Sequence, residues 1–333
     1  MNTPTDMKKI VVTQPVHPEV LARLQTQGRV VMNPGPEPWG LELLHQHLGD
    51  ADALMAFMPD RVDAHTLRHA PRLRTVACAL KGHDNFDLVA CAQAGVQVSF
   101  VPDLLTAPTA ELALGLAIAA ARHVLVGNHR MREQGYHGWR PTLYGSGLQG
   151  ATVAVVGLGA VGRAIVDRLA GFGCAQVLGY DPQAHDARVA PVTLDEAFAR
   201  ADYVFLAVPL LPQTRHIVNS HLLARARPGL VLVNVGRGSV VDEAAVVAAL
   251  ESGHLAAYAA DVYEMEDWAL PDRPTQVHEG LLRSPRTVLT PHLGSAVRSV
   301  RLAIEQQAAE HLIAGLHGVL AEALRPLPNP VKL

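Results

Sequence analysis

The stretch that most constrains this chain is Gly157-Leu158-Gly159-Ala160-Val161-Gly162, set directly behind an apolar run, Thr152 to Val156. A bare G-x-G-x-x-G arises often by chance. Here it closes a strand, opens a helical stretch from Val161 to Leu169, and is followed by a second strand, Gln176 to Tyr180. Asp181 ends that strand, about 20 residues past the last glycine, where a dinucleotide fingerprint carries its ribose-binding acid. Gly157 permits the tight turn, Gly159 lets the backbone approach a pyrophosphate at the helix N-terminus, and Gly162 allows close helix–strand packing. Ala160 and Val161 complete the cradle. Asp181 accepts hydrogen bonds from the adenosine ribose hydroxyls and repels a 2′-phosphate. The competing reading is a glycine-rich turn without a ligand, disfavoured by the strand, helix and acid in order. NAD is the cofactor expected.

Around this unit the chain reads as α/β throughout. Ahead of it, strands are expected at Lys9 to Thr13, Ala53 to Phe57, Leu73 to Ala79 and Val96 to Phe100. Helices at Pro18 to Gln27 and Leu88 to Ala94 alternate with them, and residues 33–40 form a Pro/Gly-rich loop. Behind it, strands follow at Tyr203 to Val208, Leu230 to Val235 and Ala256 to Asp261. Two series of alternating strands and helices imply two doubly wound parallel sheets. A long Ala-rich helix, Thr109 to about Gly127, joins them and suits a hinge or domain interface. A last helix, Ser299 to Leu320, can return to the first unit. At 333 residues the length fits two domains of roughly 150 residues.

Composition narrows the function. Net charge is −3 and aromatics make up 5%, which argues against nucleic-acid partners. The longest apolar run, Leu112 to Ala121, is too short to span a bilayer, so no membrane is expected. Cys78, Cys91 and Cys174 are odd in number and form no C-x-x-C pair, so neither disulfides nor structural zinc are expected. No metal-ligand cluster is visible, the start lacks a signal-peptide core, and a cytoplasmic enzyme is the default.

Reacting groups must come from beyond the fingerprint. Arg237 stands just past the Leu230 to Val235 strand, on the side where open α/β sheets bind ligands, and its planar fork suits an oxyanion. Glu266 follows the strand ending at Asp261. His292, one of 17 histidines, lies in Thr290-Pro291-His292. A lone histidine is more often surface or packing, but one beside a carboxylate can serve as general base. Whether Glu266 and His292 meet is for the fold to decide. Only four cations are Lys, namely Lys8, Lys9, Lys81 and Lys332, and Lys81 alone lies away from the termini. A snorkelling surface side chain is its bland reading.

The glycine fingerprint, Asn234 to Asp242 (NVGRGSVVD), Ala260-Asp261-Val262-Tyr263-Glu264 and Thr290-Pro291-His292 together resemble the D-isomer-specific 2-hydroxyacid dehydrogenase family. The resemblance covers nearly the whole chain. It implies a Rossmann NAD-binding domain, residues 104–296, inserted in a discontinuous flavodoxin-like substrate domain, residues 1–103 and 297–333. It implies an Arg237, Glu266, His292 catalytic set and a homodimer. It puts Asp261 near the nicotinamide carboxamide and Val208-Pro209 at the adenine pocket, with Thr109 and Val235 also in the cofactor set.

Within the family, several segments resemble its phosphite (phosphonate) dehydrogenases. They are residues 55–63 (MAFMPDRVD), 78–82 (CALKG), 100–106 (FVPDLLT), 264–268 (EMEDW) and 294–298 (GSAVR). That resemblance implies Lys81 and Arg237 on the phosphite oxygens, with Met58, Trp139, Ser295 and Arg301 nearby. It departs at Asp181-Pro182, where those enzymes carry Glu-Ala, and Arg188 follows not far along. The expected reaction oxidises phosphite to phosphate, hydride passing to NAD while His292, oriented by Glu266, takes the proton of attacking water. Two cations match an oxyanion of between one and two negative charges. The alternative enzyme is a D-2-hydroxyacid dehydrogenase or glyoxylate–hydroxypyruvate reductase, which leaves Lys81 without a task. A non-enzymatic alternative is an NADH-sensing corepressor.

Overall fold

The structure, a computed structural model, describes residues 7–319. The chain divides into two compact units, one holding residues up to Leu105 and from Val297 on, the other Thr106–Ala296. The first break falls two residues beyond the expected 103, at the start of a helix.

In the first unit the elements run β1 (Lys9–Val12), α1 (Pro18–Gln25), β2 (Arg29–Met32), α2 (Leu41–Leu48), β3 (Ala53–Ala56), α3 (Ala64–Arg68), β4 (Thr75–Cys78), α4 (Leu88–Gln93) and β5 (Gln97–Ser99). All strands are parallel in the order β2-β1-β3-β4-β5, the flavodoxin-like arrangement. Both faces are covered, so the central strands read as continuous apolar runs rather than alternating ones. Ile10, Val12, Met55 and Ala77 are buried on one face, and Val11, Leu54, Val76 and Cys78 on the other. The edge strand β2 is not evident from sequence because it is only half-buried and follows Gly28 closely.

The second unit contains α5 (Thr106–Ala121), α6 (Val124–Gln134), β6 (Thr152–Val156), α7 (Ala160–Leu169), β7 (Gln176–Tyr180), β8 (Ala190–Pro191), α8 (Leu194–Arg200), β9 (Tyr203–Leu206), α9 (Ser220–Ala224), β10 (Leu230–Asn234), α10 (Glu243–Glu251), β11 (Leu255–Ala260), α11 (Glu279–Arg283) and β12 (Thr287–Leu289). Its seven parallel strands follow β12-β11-β10-β9-β6-β7-β8. The order reverses between β6 and β9, and that switch point is where doubly wound sheets hold a dinucleotide.

The single long helix expected over 109–127 is two helices. His123 adopts a left-handed backbone, φ 52°, which no α-helix continues through, and the axis bends by 60°. Ala110, Ala113, Ala117 and Ala121 of α5 are buried in the core of the second unit beside β10 and β11. Among the described residues no single helix is long and apolar enough to cross a membrane. The last helix, α12 (Arg298–Leu316), packs on β3, β4 and α1 of the first unit through Ile304, Ala308, Ala309 and Leu312. Its expected end at Leu320 lies outside the described residues, as does Lys332.

Candidate active site

At the switch point, the loop after β6 is built against the one after β9. Gly157 has φ 92°, and a side chain there would meet the Ala207 carbonyl and Val208 Cγ1, each at 2.7 Å. A Cβ on Gly162 would collide with the Gly157 carbonyl oxygen, so α7 lies close under the loop. Gly159 is the N-cap of α7 and offers no side chain to its first amides. Gly159 and Ala160 are exposed, and Val161 is half-buried. This cradle fits a pyrophosphate, whose charge the uncapped helix N-terminus favours. Val235 and Pro209 border the same edge, Val235 buried behind β10 and Pro209 exposed after Val208.

Asp181 accepts hydrogen bonds from Leu158 N at 2.8 Å, Gln183 N at 2.8 Å and Ala184 N at 2.9 Å. Its carboxylate is thus locked beside the glycine loop. Arg188, the nearby cation open to a 2′-phosphate, is instead paired with Asp167 and Asp186. Asp181 is thus the charge expected to discriminate between the two cofactors. Asp181→Ala is expected to raise kcat/KM for NADP relative to NAD, since a fixed negative charge facing the 2′-phosphate is removed. Side-by-side kinetics with both cofactors check this, and an unchanged ratio removes Asp181 from recognition.

The three candidate reacting groups lie on the loops after β10, β11 and β12. His292 Nδ1 donates to Glu266 Oε2 at 2.5 Å, so the two residues meet and the ring's Nε2 is left for chemistry. Both side chains are partly exposed, 31% and 22%. His292 sits in a left-handed conformation, φ 54°, costing of order 1 kcal/mol for a residue with a side chain. The turn is imposed by Asp261. Its carboxylate accepts from Thr290 Oγ1 at 2.6 Å, Leu293 N at 2.7 Å and Gly294 N at 2.8 Å, while its carbonyl accepts from His292 N at 3.0 Å. Burial pushes the Asp261 carboxyl upward, and those donors pull it back. Resemblance puts Asp261 beside the cofactor, and its oxygens are engaged by this turn. Thr109 of α5 is buried against Gly294.

Arg237 is held in the loop after β10. Its carbonyl accepts from Asn234 Nδ2 at 3.0 Å and its Nη1 donates to the Gly236 carbonyl at 2.9 Å. Asp267, 2% exposed, accepts from Ser239 N at 2.6 Å and so ties the Arg237 loop to the residue beside Glu266. Glu243, also buried, receives the Glu264 amide at 2.9 Å, and Glu264 returns the contact to Glu243 N at 2.9 Å. Tyr263 Oη donates to the Ala260 and Thr290 carbonyls, joining the β11 and β12 loops. Asp267, Glu243 and Tyr263 were not evident as site residues from sequence. Tyr263 and Asp267 stand inside the segments 260–264 and 264–268 that carry the resemblance, and that was their only signal.

Ser295 follows the His292 turn and is half-buried. Trp139 is 74% exposed in the segment after α6.

The first unit has its own cluster at the carboxyl ends of β3 and β4. Lys81 and Met58 are half-buried in the loops that follow those strands. Arg301 of α12 donates to the Ala79 carbonyl at 3.4 Å, lies 5.8 Å from the Phe57 ring centre, and approaches Glu305 at 3.9 Å. Burial lowers the Arg301 guanidinium from its ordinary value, and Glu305 opposes that. Arg301 thus reaches from α12 to the loop that carries Lys81.

Beneath Met58, Asp60 is buried and receives the Thr13 hydroxyl and Phe57 N. Burial pushes its carboxyl up to about 6, against those two donors. A folded value raised above the unfolded one contributes stability that is complete below the unfolded carboxylate range. That contribution is lost as pH rises through about 6. Asp60→Asn should therefore flatten the rise in stability between pH 8 and pH 5, by about 1.4 kcal/mol. Urea unfolding at both pH values checks it, and an unchanged difference would show that Asp60 titrates normally.

Comparison with known proteins settles the family. Residues 114–294 match the NAD binding domain of D-isomer specific 2-hydroxyacid dehydrogenases. This chain belongs to that family. A glyoxylate reductase from Pyrococcus furiosus is 36% identical over 293 residues, covering 85% of this chain and 84% of that one. Among solved structures, a glyoxylate reductase from Paecilomyes thermophila shares 26% identity with a TM-score of 0.80, over 95% of this chain and 98% of its own. An NADPH-dependent glyoxylate/hydroxypyruvate reductase from Sinorhizobium meliloti, solved with NADP and malonate, shares 29% identity with a TM-score of 0.80, over 93% of each chain. The cofactor cradle is therefore that of an NAD-binding oxidoreductase, and the first unit's sheet is the parallel partner expected of the family.

Proposed function

We propose that this oxidoreductase oxidises phosphite to phosphate with NAD. The names of the relatives support a different small oxyanion more directly, since those proteins reduce 2-oxo acids. A 2-hydroxyacid dehydrogenase or glyoxylate–hydroxypyruvate reductase is accordingly the second reading. The observation that carries phosphite is Lys81, the only lysine away from the termini, in a segment resembling phosphite dehydrogenases. Arg301 of α12 reaches the loop that carries it, donating to the Ala79 carbonyl. A 2-oxo acid presents one carboxylate, which Arg237 satisfies alone. Phosphite presents up to two negative charges and almost no apolar surface, so further cations match it.

Bound NAD supplies the acceptor for the electron pair of the P–H bond. His292 Nε2 takes the proton of the water whose oxygen joins phosphorus. Glu266 holds the ring in the tautomer that leaves Nε2 available, and offsets the charge the ring gains. Arg237 binds the phosphite oxygens and neutralises charge that builds on them, and the resemblance gives Lys81 the same task. We also propose a homodimer, on the same resemblance, and a cytoplasmic location as the default for this composition.

A substrate panel tests the reading: phosphite, glycerate, lactate, glyoxylate, hydroxypyruvate and formate, with NAD or NADH as the direction requires. The expected result is NADH formation from phosphite with phosphate as second product. Fast glyoxylate reduction with no turnover of phosphite would replace it by the second reading. NADH binding without turnover of any substrate would favour a corepressor.

A further inference from the structure

On the first unit, apart from the residues assigned above, three histidines converge. His45 lies on α2, His65 on α3, and His69 at the C-terminal end of α3. One ring nitrogen from each falls within 4.8 Å of the others. The rings of His45 and His69 are stacked at 4.2 Å, and His65 stands edge-on to both at 5.1 and 4.9 Å. His65 and His69 are spaced i, i+4, which puts both on one helix face. His69 Nδ1 donates to the His65 carbonyl at 3.0 Å, which fixes the tautomer and leaves Nε2 with its lone pair outward. His45 Nε2 is shut off from solvent and has no hydrogen-bond partner. A polar nitrogen in that position is unsatisfied unless something else occupies the cluster.

We infer that His45, His65 and His69 form a binding site for a divalent transition-metal ion that crosslinks α2 to α3. Imidazole-only ligation selects zinc, copper or nickel over magnesium or calcium, which require oxygen ligands. Three protein ligands leave a coordination position for water, and the exposure of His65 and His69 lets their rings turn onto an ion. Arg68 is the local competitor: its guanidinium donates to His65 Nδ1 at 3.0 Å and repels a cation. Asp63, the N-cap of α3, adds one negative charge nearby, though it is paired with Arg61 at 2.9 Å. Cysteine contributes nothing here, because Cys78 and Cys91 are buried in the core and Cys174 is in the other unit. The ligands come from two helices, so the linear spacing gives no closed set, and the sequence expectation of no metal follows from that.

The test is zinc titration of the untagged full-length protein, comparing wild type with the His65→Ala/His69→Ala double variant and with Arg68→Gln. Wild type should bind one zinc that the double variant loses or binds at least about tenfold more weakly. Arg68→Gln should bind more tightly. Zinc should raise the thermal midpoint of wild type but not of the double variant, with the oxidoreductase activity of the metal-free proteins equal. Should the double variant fold poorly, the Cu²⁺ EPR spectrum of wild type decides, and splitting from three nitrogens is expected. Equal zinc binding by wild type and a folded double variant would overturn the inference, as would oxygen-only ligation of copper.

Discussion

His292→Ala is expected to lower kcat by about 10²–10⁴-fold, the usual contribution of a positioned general base, while leaving NADH affinity nearly unchanged. The split follows from where the residue sits. His292 is carried by the loop after β12 and fixed by Glu266 and Asp261, whereas the cofactor cradle is the β6–α7 loop and the Asp181 carboxylate. The ring can be removed without touching the cradle. Alanine inherits the left-handed backbone at this position, so the variant keeps the turn and its small strain rather than adding to it. Glu266→Gln should cost less than the loss of the ring, because an acceptor for Nδ1 remains while the charge is gone. Steady-state kinetics with fluorescence titration of NADH separate the two effects. Full activity in His292→Ala would move the base to another group.

Lys81→Ala is the second large effect, and it is expected in KM for phosphite rather than in cofactor binding. Losing one charge-assisted hydrogen bond costs about 1.5–3 kcal/mol, or about 10–150-fold in affinity. Lys81→Arg should retain more activity, since the charge survives although a planar fork replaces a compact ammonium. Among the described residues Lys81 has no ion-pair partner to lose, so the variant leaves no buried charge uncompensated. A KM for phosphite unchanged in Lys81→Ala would leave Arg237 as the sole substrate cation and favour the 2-oxo acid reading.

The parts of this site legible in sequence are those encoded within one strand–loop–helix unit. Gly157, Gly159, Gly162 and Asp181 fall within a single βαβ, so their spacing along the chain already fixes their spacing in space. Arg237, Glu266 and His292 were each legible as residues just past a strand. The meeting of Glu266 with His292 was not, because it depends on β11 pairing with β12 in parallel, with Ala260 opposite Leu289. The supports were hidden for the same reason: Asp261 bonds a turn some thirty residues on, and Asp267 reaches back to Ser239. The break between α5 and α6 was masked by unbroken helical composition, since only the left-handed backbone at His123 ends the first helix. The histidine cluster needed α2 and α3 to be packed together before its ligands could be counted.

The central claim is that hydrogen passes from phosphorus to the nicotinamide at this site, and phosphite carrying deuterium on phosphorus tests it most directly. Incubated with NAD and the wild-type enzyme, it should yield NADH bearing one deuterium at C4 of the nicotinamide, with phosphate formed in equal amount. Reduced cofactor without deuterium, or no reduced cofactor while glyoxylate is turned over, would contradict the account.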